Sequence, residues 1–105
     1  MSTELIYEVT KVQVHIHKTN PPEFHVTANG NANSGSQSNA RLERRIYVDF
    51  PQDGIQEYDF YIDVPEGPTT DDIKEHTVSD TLVSFPDELK GARVYAKKNK
   101  IEEKL

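Results

Sequence analysis

A chain of 105 residues with 34% apolar and 29% charged residues supports one domain with a thin core and a densely polar surface. It contains no cysteine, which excludes a disulfide framework, a thiolate nucleophile and thiolate metal ligands. The net charge of -6 is unevenly placed: residues 49–88 hold 12 acids against the single base Lys74, while residues 1–48 carry five bases against four acids and residues 89–105 six against two. A phosphate-binding surface needs clustered Lys and Arg, so nucleic acid is not an expected partner; a cation or a protein partner with a basic surface suits this distribution better. No apolar run approaches a membrane span, and Met1-Ser2-Thr3-Glu4 does not open a secretory leader, so no membrane partner is expected and the chain reads as soluble and cytoplasmic.

In chain order, the first segment changes parity. Leu5, Tyr7 and Val9 are odd, whereas Val12, Val14 and Ile16 are even, which predicts a bulge or bend near Thr10-Lys11 and a change of sheet there. Asn20-Pro21-Pro22 forces a turn, and Phe24-His25-Val26-Thr27-Ala28 alternates again as a second strand. Residues 29–39 contain nothing apolar larger than alanine and read as a long flexible loop, bounded at 29–40, with neither a glycosylation sequon nor a phosphate-loop ending after Gly30 and Gly35.

Ile46, Val48 and Phe50 alternate, as do Tyr58, Phe60, Ile62 and Val64, with Asp53-Gly54 between them; this predicts a hairpin closed by a loop of three or more residues. Thr69-Thr70-Asp71-Asp72 resembles the cap of a helix of one turn at most. Residues 77–85 read as a strand of unclear facing, 86–91 as a corner and 92–97 as a final strand, followed by a charged tail over 99–105 that frays or adds an edge strand. The expectation is all-β: a small antiparallel β-sandwich of six or seven strands over residues 1–98, of the immunoglobulin-like kind but without the Cys-Trp-Cys framework.

Two groups of residues carry chemistry. If the strands around His15 and His25 pair so that opposed positions sum to 40, Val12, Val14 and Ile16 meet Ala28, Val26 and Phe24, and His15 stands opposite His25 with His17 diagonal to it on the polar face. Three imidazoles so placed suit Zn²⁺ or Cu²⁺, with Glu23 the nearest fourth donor. The second group follows from the 46–64 hairpin, whose apolar match sets Asp49 opposite Glu57 or Asp59 and gathers Asp49, Glu57, Asp59 and Asp63 on one face. Hard oxygen donors of this kind suit Ca²⁺, although opposed carboxylates require compensation, for which Arg45 is a candidate.

Tyr47 and Tyr61 share that face, where rings beside carboxylates make a surface for sugar or protein, and Tyr95 is unassigned. No nucleophile elbow or enclosing cleft is legible, so catalytic residues and an organic cofactor are not expected. The sequence therefore reads as a non-enzymatic interaction or structural module. Its alternative is a calcium-, zinc- or carbohydrate-binding module, in which a divalent cation is the one cofactor offered.

Overall fold

The computed structural model describes residues 1–68 and 70–105. Strands β1 (Ser2–Leu5), β4 (Ser38–Arg44), β5 (Ile55–Val64), β7 (Gly91–Tyr95) and β8 (Lys100–Lys104) form one sheet, and β2 (Glu8–His17), β3 (Glu23–Ala32) and β6 (Lys74–Val83) form the other. Among the described residues the fold is all-β with two packed sheets and eight strands, a correction to the six or seven expected because β1 and β8 are short edge strands, and no helix there is long and apolar enough to cross a membrane. Among the described residues five of the six strand pairings are antiparallel, but β5 pairs β7 in parallel, through Ile55↔Gly91 to Asp59↔Tyr95. The purely antiparallel expectation is corrected on that point. A parallel neighbour is reached by a crossover instead of a tight turn, so local turn signals do not reveal it.

Alternation builds the core directly. Along β3 the even positions Phe24, Val26, Ala28 and Ala32 are buried, and along β5 so are Tyr58, Phe60 and Ile62. These faces pack on each other with Ile6, Val9 and Val12 from the first segment and Ala92 and Val94 from β7. The predicted bulge is present, with the β2–β3 register shifting between Val9 and Lys11. The change of sheet comes earlier, at Ile6-Tyr7, where Ile6 still donates to the Phe60 carbonyl at 2.8 Å while its own carbonyl accepts from Lys97 at 2.8 Å.

Two expectations about particular segments need correction. Residues 29–32 are the end of β3 and residues 38–40 the start of β4, so the flexible loop of 29–40 shrinks to a turn at 33–37. The small residues are there because the sheets approach closely: a Cβ at Gly30 would lie 2.8 Å from the Glu8 carbonyl oxygen and 2.9 Å from the Phe60 ring. The turn itself is pinned, Gly35 donating to Thr70 Oγ1 and Asp72 Oδ1 at 3.1 Å each.

The partner of β5 is β4, through Leu42↔Phe60 and Glu43↔Asp59, and not residues 46–50. That stretch lies outside the sheet with its phase inverted: Ile46 and Val48 are 94% and 102% exposed, while Tyr47 turns inward and meets the Phe50 ring edge-on at 5.9 Å. Of the two courses expected for residues 99–105, the edge strand is the one that forms. Lys100–Lys104 is a full edge strand antiparallel to β7, anchored by Asn99, whose side chain accepts from the Val9 N–H at 2.9 Å and donates to the Val9 carbonyl at 2.8 Å. Of the short helical cap, Thr70, Asp71 and Asp72 are non-helical and Thr69 lies outside the described residues.

Candidate metal centre

The β2–β3 ladder fixes the site. Val12↔Ala28, Val14↔Val26 and Ile16↔Phe24 bring the apolar sets together, and the period of two then sends the intervening residues to the outer face. His15↔His25 and His17↔Glu23 are consecutive outward-facing rungs of that ladder. Behind His25, β6 contributes Thr81 through the pairing His25↔Thr81.

The three imidazoles meet. Ring centroids are 4.6 Å apart for His15 and His17, 5.2 Å for His15 and His25, and 4.0 Å for His17 and His25. One nitrogen from each ring falls within 4.8 Å of the others. A tetrahedral zinc ion holds its nitrogen ligands roughly 3.3 Å apart, and His15 and His17 are exposed and free to close the difference by side-chain rotation. Glu23 Oε1 stands 3.1 Å from His25 Nε2, and Thr81 Oγ1 3.5 Å from His25 Nδ1, so the least exposed of the three rings is held from both sides. Such outer contacts fix the tautomer and orientation of a ligating histidine. All three predicted histidines are thus brought together as the register of 40 required, with Glu23 beside them. Thr81 was not legible, because the facing of its strand could not be read from a mixed pattern.

The acidic face is organised differently. Glu57, Asp59, Tyr61 and Asp63 do share the outer face of β5, but Asp49 lies in the 45–54 segment, opposite neither Glu57 nor Asp59, and the rung opposite Asp59 is Glu43. Arginines supply the compensation. Arg45 bonds both Asp59 oxygens, at 2.9 and 3.2 Å, which raises its pKa further, and its guanidinium lies 4.2 Å above the Tyr95 ring. Arg93 reaches Glu57, Asp53 and Glu102, and Arg41 reaches Asp63 at 3.1 Å.

Glu57 accepts from Tyr95 at 2.5 Å and from Tyr47 at 3.2 Å; these bonds, with Arg45 and Arg93 nearby, hold its carboxyl below the usual range. Tyr47 also accepts from the Glu57 N–H at 2.9 Å, and burial pushes its pKa up to about 12. A hydroxyl used twice within the molecule is a poor handle for an outside ligand, and Tyr61 sits between Leu5 and Arg41 in the sheet. Arg93 and Tyr95 were missed as partners because the parallel β5–β7 contact leaves no local signal.

Among the described residues, His15, His17 and His25 are the one group of three or more His, Asp or Glu side chains whose ligating atoms converge. No protein-family model, curated protein or solved structure matches this chain.

Proposed function

We propose that the chain is a non-enzymatic binding module that takes a divalent transition-metal ion on the outer face of its three-stranded sheet. The observation that carries the reading is the convergence of three histidine nitrogens within 4.8 Å on a rigid ladder. Imidazole suits zinc and copper, whereas calcium requires a shell of oxygens, and Asp63, Asp59 and Glu57 are paired with Arg41, Arg45 and Arg93 while Asp49 lies apart from them.

The binding reading also fits the position of the site. The groove between β2 and β8, about 510 Å³ and lined by Val12, Val14 and Ile101 among others, includes none of the three histidines, two of which, His15 and His17, are exposed. Metal-dependent recognition of a protein surface follows naturally from that exposure. The scaffold in this reading is a β-sandwich; the parallel β5–β7 pair is a departure from the simplest immunoglobulin-like arrangement, and the cytoplasmic setting belongs to the same proposal.

A thermal melt tests it. With Zn²⁺ at a hundredfold excess over its Kd, a native-state ligand adds about 2.7 kcal/mol, a rise in Tm on the order of 10 °C for a domain of this size, reversed by EDTA. The gain vanishes in His17→Ala, which removes one of the three nitrogen donors. A melt indifferent to zinc, EDTA and that substitution contradicts the proposal.

A further inference from the structure

We infer that the free edge of β6 is a self-association surface, on which a second copy of this chain pairs antiparallel across a two-fold axis at Val78 and joins the two three-stranded sheets into one of six strands. β6 ends the order β2, β3, β6, so among the described residues the outer row of its backbone donors and acceptors pairs with no strand. It runs for ten residues without a proline, and its pairing with β3 is unbroken from Glu23↔Val83 to Ala32↔Lys74. A long, regular edge of this kind is a template for a further strand.

The side chains of β6 specify which strand fits. His76, Val78, Asp80 and Leu82 take its inner positions, opposite Gly30, Ala28, Val26 and Phe24. Two of them end in buried atoms without a hydrogen-bond partner among the described residues: His76 Nε2, and Asp80 Oδ2, which Arg44 Nε approaches to 3.2 Å without the alignment of a hydrogen bond. Protein interiors leave few such atoms. One strand thus holds an imidazole that lacks an acceptor and a carboxylate with lone pairs to spare. A two-fold perpendicular to the sheet keeps both inner faces on the same side, which requires a residue on the axis, and Val78 lies midway between His76 and Asp80. With Val78 there, His76 of each copy stands directly opposite Asp80 of the other, their Cβ atoms about 5 Å apart, and the contact is made twice. Thr77 meets Ser79, Glu75 meets Thr81 and Lys74 meets Leu82, so no like charges are opposed. Neighbouring registers fail: Ser79 on the axis sets Val78 against Asp80, Asp80 on the axis sets two carboxylates together, and Thr77 on the axis turns His76 to Val78.

Sedimentation equilibrium of the full chain at neutral pH, in EDTA so that no metal ion bridges copies, tests this with the wild type, His76→Leu, His76→Gln and His76→Asp, each confirmed as folded by circular dichroism. An edge contact buries little area, so the expected wild type is a dimer that dissociates in the micromolar range. His76→Leu weakens it about 10- to 100-fold, since two hydrogen bonds are lost per dimer. His76→Gln keeps an N–H donor and retains the dimer, whereas His76→Asp, set against Asp80, leaves only monomer. The register is read separately by oxidative crosslinking, the native chain having no cysteine. A mixture of Thr77→Cys and Ser79→Cys chains, altered on the exposed face of β6, crosslinks faster than either chain alone. A wild type that stays monomeric at millimolar concentration, a dimer indifferent to His76→Leu and His76→Asp, a loss in His76→Gln as large as in His76→Leu, or crosslinking no faster in the mixture overturns the inference. None of these outcomes bears on the histidine cluster of β2 and β3.

Discussion

At the level of single residues, buried polar atoms decide which substitutions matter. Tyr58 is fully buried between the sheets, and among the described residues its hydroxyl has no partner at good hydrogen-bond geometry, Asp80 being the nearest acceptor; burial first, and the Asp80 carboxylate second, push its pKa upward. Asp80 projects inward from β6 opposite Val26 and pairs with Arg44 of β4 at 3.2 Å, so the two sheets are clasped along this side by an ion pair. Because the hydroxyl carries a desolvation cost that no well-aligned bond offsets, Tyr58→Phe is predicted to leave Tm unchanged or raise it. A loss larger than about 1.5 kcal/mol in chemical denaturation would show that the hydroxyl makes a bond worth having. Asn99 is the opposite case. Its amide satisfies both backbone groups of Val9, itself 1% exposed, where the bulge interrupts the ladder. Asn99→Ala should cost about 2 kcal/mol, since two buried backbone groups lose their partners, and Asn99→Asp, which keeps the acceptor alone, should fall between.

Among the elements, the β2–β3 hairpin was readable from sequence and the β4–β5 pairing was not, and the difference is physical. Val12-Gln13-Val14-His15-Ile16 and Phe24-His25-Val26-Thr27-Ala28 each alternate without interruption, so one register alone buries both apolar sets. The histidine site came with it, since the same register that packs the inside places the outside. For β5 the apolar run 46–50 was a stronger lure than residues 38–44, where only Ala40 and Leu42 pack against the core. Competing bonds decided the outcome. Arg45 to Asp59, the Gln56 side chain to the Arg45 carbonyl at 2.9 Å, and Tyr47 to Glu57 fold residues 45–47 back along β5. Ionic and aromatic contacts of this kind carry no periodic signature. Residues 29–32 misled for another reason: polarity and small size normally mark a loop, but here they mark an inner face with too little room for side chains beside Phe60.

For the whole molecule, pH links the carboxylate bonds to stability. Glu57, Asp63, Asp53, Glu4 and Asp72 are all held below the ordinary carboxylate range: Glu57 chiefly by Tyr95, Asp63 by Asn39 and Thr3, Asp53 by the Ile55 N–H, Glu4 by Lys97 and Asp72 by Thr70. The unfolded chain then binds more protons than the folded one, so the stability these groups confer is complete above the ordinary range and is lost as pH falls through their folded values. His76 has the same sign, because burial and Lys74 hold its pKa below 6.5 and protonation therefore favours unfolding. The Tm should begin to fall below about pH 6.5 and drop steeply below about pH 4. Glu57→Gln should be less stable than wild type at pH 7, with the gap narrowing in acid; a gap that widens would reverse the sign assigned to Glu57. The proposed metal centre depends on the one register that gathers three imidazoles on the outer face of the three-stranded sheet. An NMR titration of the imidazole signals with Zn²⁺ at neutral pH addresses that directly. His15, His17 and His25 are predicted to shift together and saturate at one equivalent while His76, on the inner face, stays still; three histidines that respond independently, or a response led by His76, would contradict it.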